Sequence, residues 1–140
     1  MPATRRILEF VPDGRYSWKP HEKSMTRGHL ANHVAALAGI AAIILKRVGS
    51  RPPEADNKTE LLESFDENVA ACKEELASMS EDRLAGNILV LPGMEKPVWA
   101  VLRGGGLMNH LIHHRGQLSV YLQLLDVAVP GMYGPSADEK

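Results

Sequence analysis

Apolar positions recur along this chain at steps of three and four residues, the spacing of helices that bury one face. Four helical segments follow from that pattern. The first, Thr4 to Val11, is about two turns long and is stopped by Pro12-Asp13-Gly14. The second follows an irregular stretch, Arg15 to Lys23, with Ser24 as its expected N-cap and Gly49 and Pro52-Pro53 as its end. Its stripe is Leu30, Val34, Leu37, Ile40, Ala41, Ile44, Leu45 and Val48. The third, capped by Asn57 or Thr59 and running to about Ser80, carries Leu61, Leu62, Phe65, Val69, Cys72, Leu76 and Met79. The fourth opens near Pro97 and reaches about Val127, with Leu107, Leu111, Leu118, Tyr121, Leu122 and Leu125 as its stripe. Gly104-Gly105-Gly106 weakens it, so it is expected to begin or bend near Leu107. Between the third and fourth lies Glu81 to Lys96, where Ile88 to Leu91 reads as a short strand or a buried loop. Helices joined this way predict an all-α, antiparallel four-helix bundle with a shortened first helix, forming one domain over residues 1–140.

Composition narrows the function classes. Sixteen Lys and Arg against seventeen Asp and Glu leave a formal net charge of -1, the wrong balance for coating nucleic acid or an anionic membrane. The longest strongly apolar run, Ala35 to Leu45, is short of the roughly 20 residues of a membrane span, and no signal peptide opens the chain. One cysteine excludes an internal disulfide and any CxxC motif, and Cys72 falls in a core stripe. A soluble, cytoplasmic protein acting on a small molecule is the expectation.

The chemistry is carried by histidine. All six fall in two places: His21, His29 and His33 before or within the second helix, and His110, His113 and His114 in the fourth. At about 100° per residue, His33 lies inside the second helix's stripe and His29 at its edge. With Leu107 at zero, His110 and His114 fall near 300° and 340°, flanking the inward face, while His113 at about 240° points away. The inward set is therefore His33, His110 and His114. An i, i+4 pair aims two ring nitrogens at one point, and a third imidazole from a facing helix completes a three-nitrogen face with positions left open. Zinc, nickel, iron and cobalt all accept such ligands. The alternative is three hydrogen-bonded core and rim imidazoles, at the cost of burying polar rings that ligation removes. His21, His29 and His113 are expected at the surface or beside the ligands. Arg115 and Gln117 could orient ligands or bind a substrate carboxylate, although a surface salt bridge is the commoner fate of such an arginine. No Ser-His-Asp constellation and no phosphate-binding glycine motif is present.

Three segments resemble the DinB/YfiT-like family of metal-dependent enzymes. They are Trp18-Lys19-Pro20-His21-Glu22-Lys23-Ser24-Met25, Leu30-Ala31-Asn32-His33-Val34-Ala35, and Asn109-His110-Leu111-Ile112-His113-His114-Arg115-Gly116-Gln117-Leu118. The last is similar to the family's HxxHHRGQ signature, and the tail Tyr133 to Glu139 is similar to an ending found in one branch. The resemblance implies a four-helix bundle whose metal, often nickel or zinc, sits on His33, His110 and His114. It also implies a homodimer and, as in some relatives, transfer of a low-molecular-weight thiol such as bacillithiol or mycothiol. A metal-dependent hydrolase and a non-catalytic metal- or ligand-binding dimer are the competing expectations. The first helix is shorter than relatives usually have, which would leave apolar flanks to be covered by a second subunit.

Overall fold

The computed structural model describes residues 1–46, 49–50 and 53–139. The predicted stripe residue Val48 and the helix-ending Pro52 lie outside the described residues. The chain is mainly helical: α1 (Pro2–Glu9), α2 (Arg27–Lys46), α3 (Lys58–Ala77), α4 (Glu81–Ala85), β1 (Asn87–Leu91), β2 (Met94–Pro97), α5 (Val98–Arg103) and α6 (Met108–Gln123). The all-α, four-helix expectation therefore needs two corrections.

The first is the antiparallel hairpin β1–β2. Gly93 turns it at φ 77°, a conformation open to glycine at no steric cost. The two strands pair from Asn87 opposite Pro97 to Leu91 opposite Met94. The second correction is that the predicted fourth helix is two helices. Pro97 ends β2 and precedes α5, and the break falls across Gly104 to Leu107. The glycines cause it sterically as well as by propensity. The Gly106 N–H donates to the Val101 carbonyl, and a Cβ on Gly106 would lie 2.7 Å from that same oxygen.

The first three predicted helices form where their periodicity placed them, with ends that differ in detail. Asn57 caps α3, its side chain accepting from the Glu60 N–H. Ser80, expected near the end of the third helix, instead caps the short α4. In α2 the cap is Thr26 rather than Ser24, since Thr26 Oγ1 accepts from the His29 N–H at 3.2 Å. The first helix starts earlier than expected, with Pro2 in its first turn.

Packing centres on α2, which lies against α3 and α6, while α1 touches all three. Burial of α2 extends well beyond one stripe: Leu30, Ala31, Val34, Ala35, Leu37, Ala38, Ala41 and Ala42 are all buried. By length and hydropathy Arg27–Lys46 would suffice to cross a membrane, which corrects the expectation of no segment so long. Here 72% of its apolar window is buried inside the protein, so its greasy surface is taken up by α1, α3 and α6. One contiguous core results, running from Ile7 and Leu8 through Leu37, Leu61 and Phe65 to Leu118 and Leu122. Each such side chain contributes roughly 1.5–3 kcal/mol through the apolar surface it removes from water.

The irregular segment after α1 is held by Arg27, which is 1% exposed. Its guanidinium donates to the carbonyls of Pro12 and Gly14 and stacks over the Tyr16 ring. Burial pulls its pKa below the ordinary arginine value, and the charge of Asp13 is among the influences that oppose the shift.

Candidate metal centre

The α2–α6 contact brings together the three histidines that helical phase selected. His33 projects from α2, and His110 and His114 project from successive turns of α6. One ligand-capable nitrogen from each lies within 4.8 Å of the others. Ring centroids are 4.5 to 4.9 Å apart. His114 is buried, and His33 and His110 are half-buried.

Two ring orientations are fixed by carbonyl oxygens. His110 Nδ1 lies 2.8 Å from the Gly105 carbonyl, and His114 Nδ1 lies 2.6 Å from Gln117 Oε1. A carbonyl only accepts, so each Nδ1 carries the proton and each Nε2 presents its lone pair. His33 Nε2 and His110 Nε2 face each other at 3.1 Å. Two nitrogens sharing a tetrahedral ion at roughly 2.0–2.1 Å are about 3.3 Å apart, so the spacing fits a shared cation. The donor set fits as well, being neutral imidazole without thiolate or carboxylate. Burial lowers the His114 pKa, the Gln117 bond opposes that, and the neighbouring His110 and His113 reinforce it. The net effect favours the neutral ring that can ligate.

The triple glycine thus belongs to the site. It breaks the helix so that Gly105 exposes a carbonyl that continuous helix would have consumed. Gln117, which the sequence offered as a residue that could orient ligands or bind a substrate carboxylate, accepts from His114 Nδ1. Arg115 does not sit in a surface salt bridge. It is 8% exposed, donates to Thr4 Oγ1 at 3.2 Å and to the Tyr133 hydroxyl, and its guanidinium lies 5.2 Å from the Tyr133 ring. It ties α1 and the C-terminal tail to the helix that bears two of the histidines.

The other histidines stay outside the cluster. His113 is exposed, although its ring is 4.8 Å from that of His114. His21 is exposed and accepts from the Lys23 N–H. His29, one turn before His33, pairs with Glu54 at 2.5 Å. His29, Asn32, His33, Ala36, Pro53 and Glu54 line a pocket on the α2 side of the cluster. Asn32 builds its wall: its amide donates to Gly28 O and Ala55 O and accepts from the Ala55 N–H. Asn32 and Glu54 were not singled out by sequence reasoning. An Asn inside an apolar stripe was the available signal for the first, and nothing local marked the second.

The family model for the DinB family matches residues 2–140. The chain is 25% identical over 141 residues to the uncharacterized protein YrdA of Bacillus subtilis (strain 168), covering 98% of this chain and 83% of that protein. It is 26% identical over 127 residues to the uncharacterized protein YjoA of the same organism, covering 86% and 80%. Among solved structures, a DinB-like protein from Bacillus cereus ATCC 10987 superposes with a TM-score of 0.80 at 20% identity, covering 94% of this chain and 89% of that one. The DinB-like YjoA from Bacillus subtilis gives 0.75 at 22% identity, with 96% and 92% covered. These likenesses support the fold.

Proposed function

The chain belongs to the DinB family, and from that premise we propose that it is a divalent-metal-dependent enzyme of the thiol-transfer or detoxification type. His33, His110 and His114 are the metal ligands in this reading. The observation that carries it is the pair of carbonyl-fixed rings, His110 on Gly105 and His114 on Gln117, which turn Nε2 lone pairs toward His33. Aiming the lone pairs of two fixed rings at one point beside a third imidazole is the arrangement a shared cation satisfies.

Zinc and nickel are the favoured ions, because both accept three imidazoles and tolerate open positions. When bound, such an ion supplies the Lewis acidity that lowers the pKa of a thiol or of water. The protein's own residues do the rest. Gly105 and Gln117 hold two rings in one tautomer, and Arg115 fixes α6 against α1 and the tail. Asn32 keeps the Pro53–Glu54 wall over the pocket that a small molecule would enter. Three protein ligands leave room for that molecule, which a closed structural site does not.

The test is elemental analysis of protein purified without a metal-affinity tag, beside His33→Ala and His114→Ala. About one equivalent of a transition metal is expected in the parent and none in either variant. Absence of metal from the parent, with both variants equally folded, overturns the reading. With the metal site established, thiol consumption is measured across a panel of electrophiles. Stoichiometric metal with no consumption of any thiol would make the protein a binding module, and release of product by water alone would make it a hydrolase.

A further inference from the structure

We propose that His29, oriented by Glu54, is the base that takes the proton from a thiol as it enters the pocket beside the metal centre. The inference rests on the thiol-transfer reading above and adds the proton acceptor that reading lacks. His29 Nδ1 lies 2.5 Å from Glu54 Oε1. An ionised carboxylate only accepts, so Nδ1 carries the proton and Nε2 presents its lone pair. A carboxylate that fixes one ring nitrogen of a histidine leaves the other to act as base toward a nucleophile. Among the described residues, the convergent metal-binding nitrogens belong to His33, His110 and His114, so the His29 ring is not spent on the ion.

Helical spacing puts this pair where the chemistry needs it. His29, Asn32, His33 and Ala36 stand at i, i+3, i+4 and i+7 on one face of α2, and all four line the same pocket. The ring that would accept the proton and a ring that would hold the ion therefore border one small space, a turn apart. Both members of the pair are anchored. Thr26 Oγ1 accepts from the His29 N–H in the first turn of α2. Glu54 precedes Ala55, whose N–H and carbonyl both bond the buried side chain of Asn32, at 2.7 and 3.0 Å. An ordinary surface ion pair has no such anchorage and gains little from its geometry.

The surroundings favour the charged ring that the step creates. Glu60, Glu63 and Glu67 of α3 line a groove that adjoins the pocket and shares Pro53, Glu54 and Ser64 with it. Carboxylates nearby favour an imidazolium over a neutral imidazole. In the step, the thiol S–H bond breaks, an N–H bond forms at His29 Nε2, and the electron pair stays on sulfur. The sulfur then bonds the electrophilic carbon of an alkylating substrate, whose leaving group departs with its own pair. The imidazolium passes its proton to that group or to water, which restores the neutral ring. Glu54 acts only through His29 and is a positioning residue.

Two measurements test the pair, one without metal and one with it. In metal-free protein, long-range proton–nitrogen NMR spectra should show His29 as the Nδ1–H tautomer, and Glu54→Ala should release it into a mixture. In metal-loaded protein, titration calorimetry with mercaptoethanol, in buffers of different ionisation enthalpy, counts the protons released on binding. At about pH 7.5 free thiols hold their proton and ordinary imidazoles do not. The parent should release well under one proton per thiol, because His29 keeps it, and His29→Gln about one. With an alkylating electrophile, His29→Gln should lower kcat by about 10²-fold with KM little changed, and Glu54→Gln by about tenfold. Both side chains are partly exposed, so folding and metal content should match the parent in each variant. A parent without metal, or one that holds metal but binds no thiol, overturns the thiol-transfer reading and this proposal with it. A metal-loaded parent that binds thiol and releases as many protons as His29→Gln overturns the pair alone. So does a parent whose His29 tautomer is not fixed.

Discussion

Helices α3 and α6 are both central to this protein and are built in opposite senses. The inner face of α3 is Leu61, Phe65, Val69 and Cys72, and its outer face is dense with carboxylates. The inner face of α6 holds His114 and Arg115 beside Leu111, Leu118 and Leu122, while its outer face shows Met108, Ile112, Val120 and Leu124. α3 obeys the ordinary economy of a water-soluble helix. α6 departs from it on both sides, and each departure needs a reason outside the helix. Inside, buried imidazoles and a buried guanidinium are tolerable only with fixed partners: Gly105, Gln117, Thr4 and Tyr133 supply them. Outside, large apolar side chains stand where α3 carries charges. A helix whose burial follows its hydrophobicity is holding the fold together; one whose burial contradicts it is where function is to be sought.

The largest effect that sharpens this contrast is expected on the α3 side. Phe65, at 2% exposure, packs in the common core. Phe65→Ala should destabilise the protein by about 3–5 kcal/mol, through lost transfer energy and the cavity left behind. Urea unfolding measures it. Metal stoichiometry of the folded fraction should stay at the parent value, because α3 supplies no ligand. Loss of metal from folded Phe65→Ala would show that α3 is part of the site's support and would blur the distinction.

The same contrast explains what the sequence could reveal. His33, His110 and His114 were legible because helix phase depends only on residue number, and it survived the error in where the fourth helix begins. The break at Gly104 to Leu107 was half legible: propensity showed the weak point, but not that Gly105 would turn its carbonyl to His110. The hairpin was harder to see. Leu89 and Leu91 are exposed, so the strand lacks the alternation of burial that period-two reasoning seeks. Its clearest signal was the Pro92-Gly93 dipeptide, a turn marker directly after the short apolar run Ile88 to Leu91. Arg115 was misread because an arginine on a helix is ordinarily a surface cation. Its partners, Thr4 and Tyr133, lie 111 and 18 residues away, beyond the reach of any local pattern.

A smaller effect belongs to the inner face of α6 and appears with pH. Burial holds the folded-state pKa of His114 below its ordinary value of 6.5. A proton therefore binds the unfolded chain more readily than the folded one. The stability contributed by the neutral ring is fully present above the unfolded pKa and is lost as pH falls toward the folded pKa. Metal-free protein should lose stability on acidification from pH 6.5, and His114→Leu should flatten that dependence. Denaturant midpoints measured from pH 8 to pH 5 test it. An unchanged slope in His114→Leu would mean that the burial of this ring has no protonic consequence. The outer face of α3, a helix without histidine, has no part in that test.

The smallest effect lies on that outer face. Asp66 accepts from Arg5 of α1 at 2.9 Å, in an ion pair whose side chains are 41% and 51% exposed. Water and salt screen such a pair, so Asp66→Asn should cost less than about 1 kcal/mol, and less still at high ionic strength. Urea midpoints of Asp66→Asn at low and high salt measure it, and a loss well beyond that scale would mean that the outer face of α3 carries more of the fold than its exposure implies.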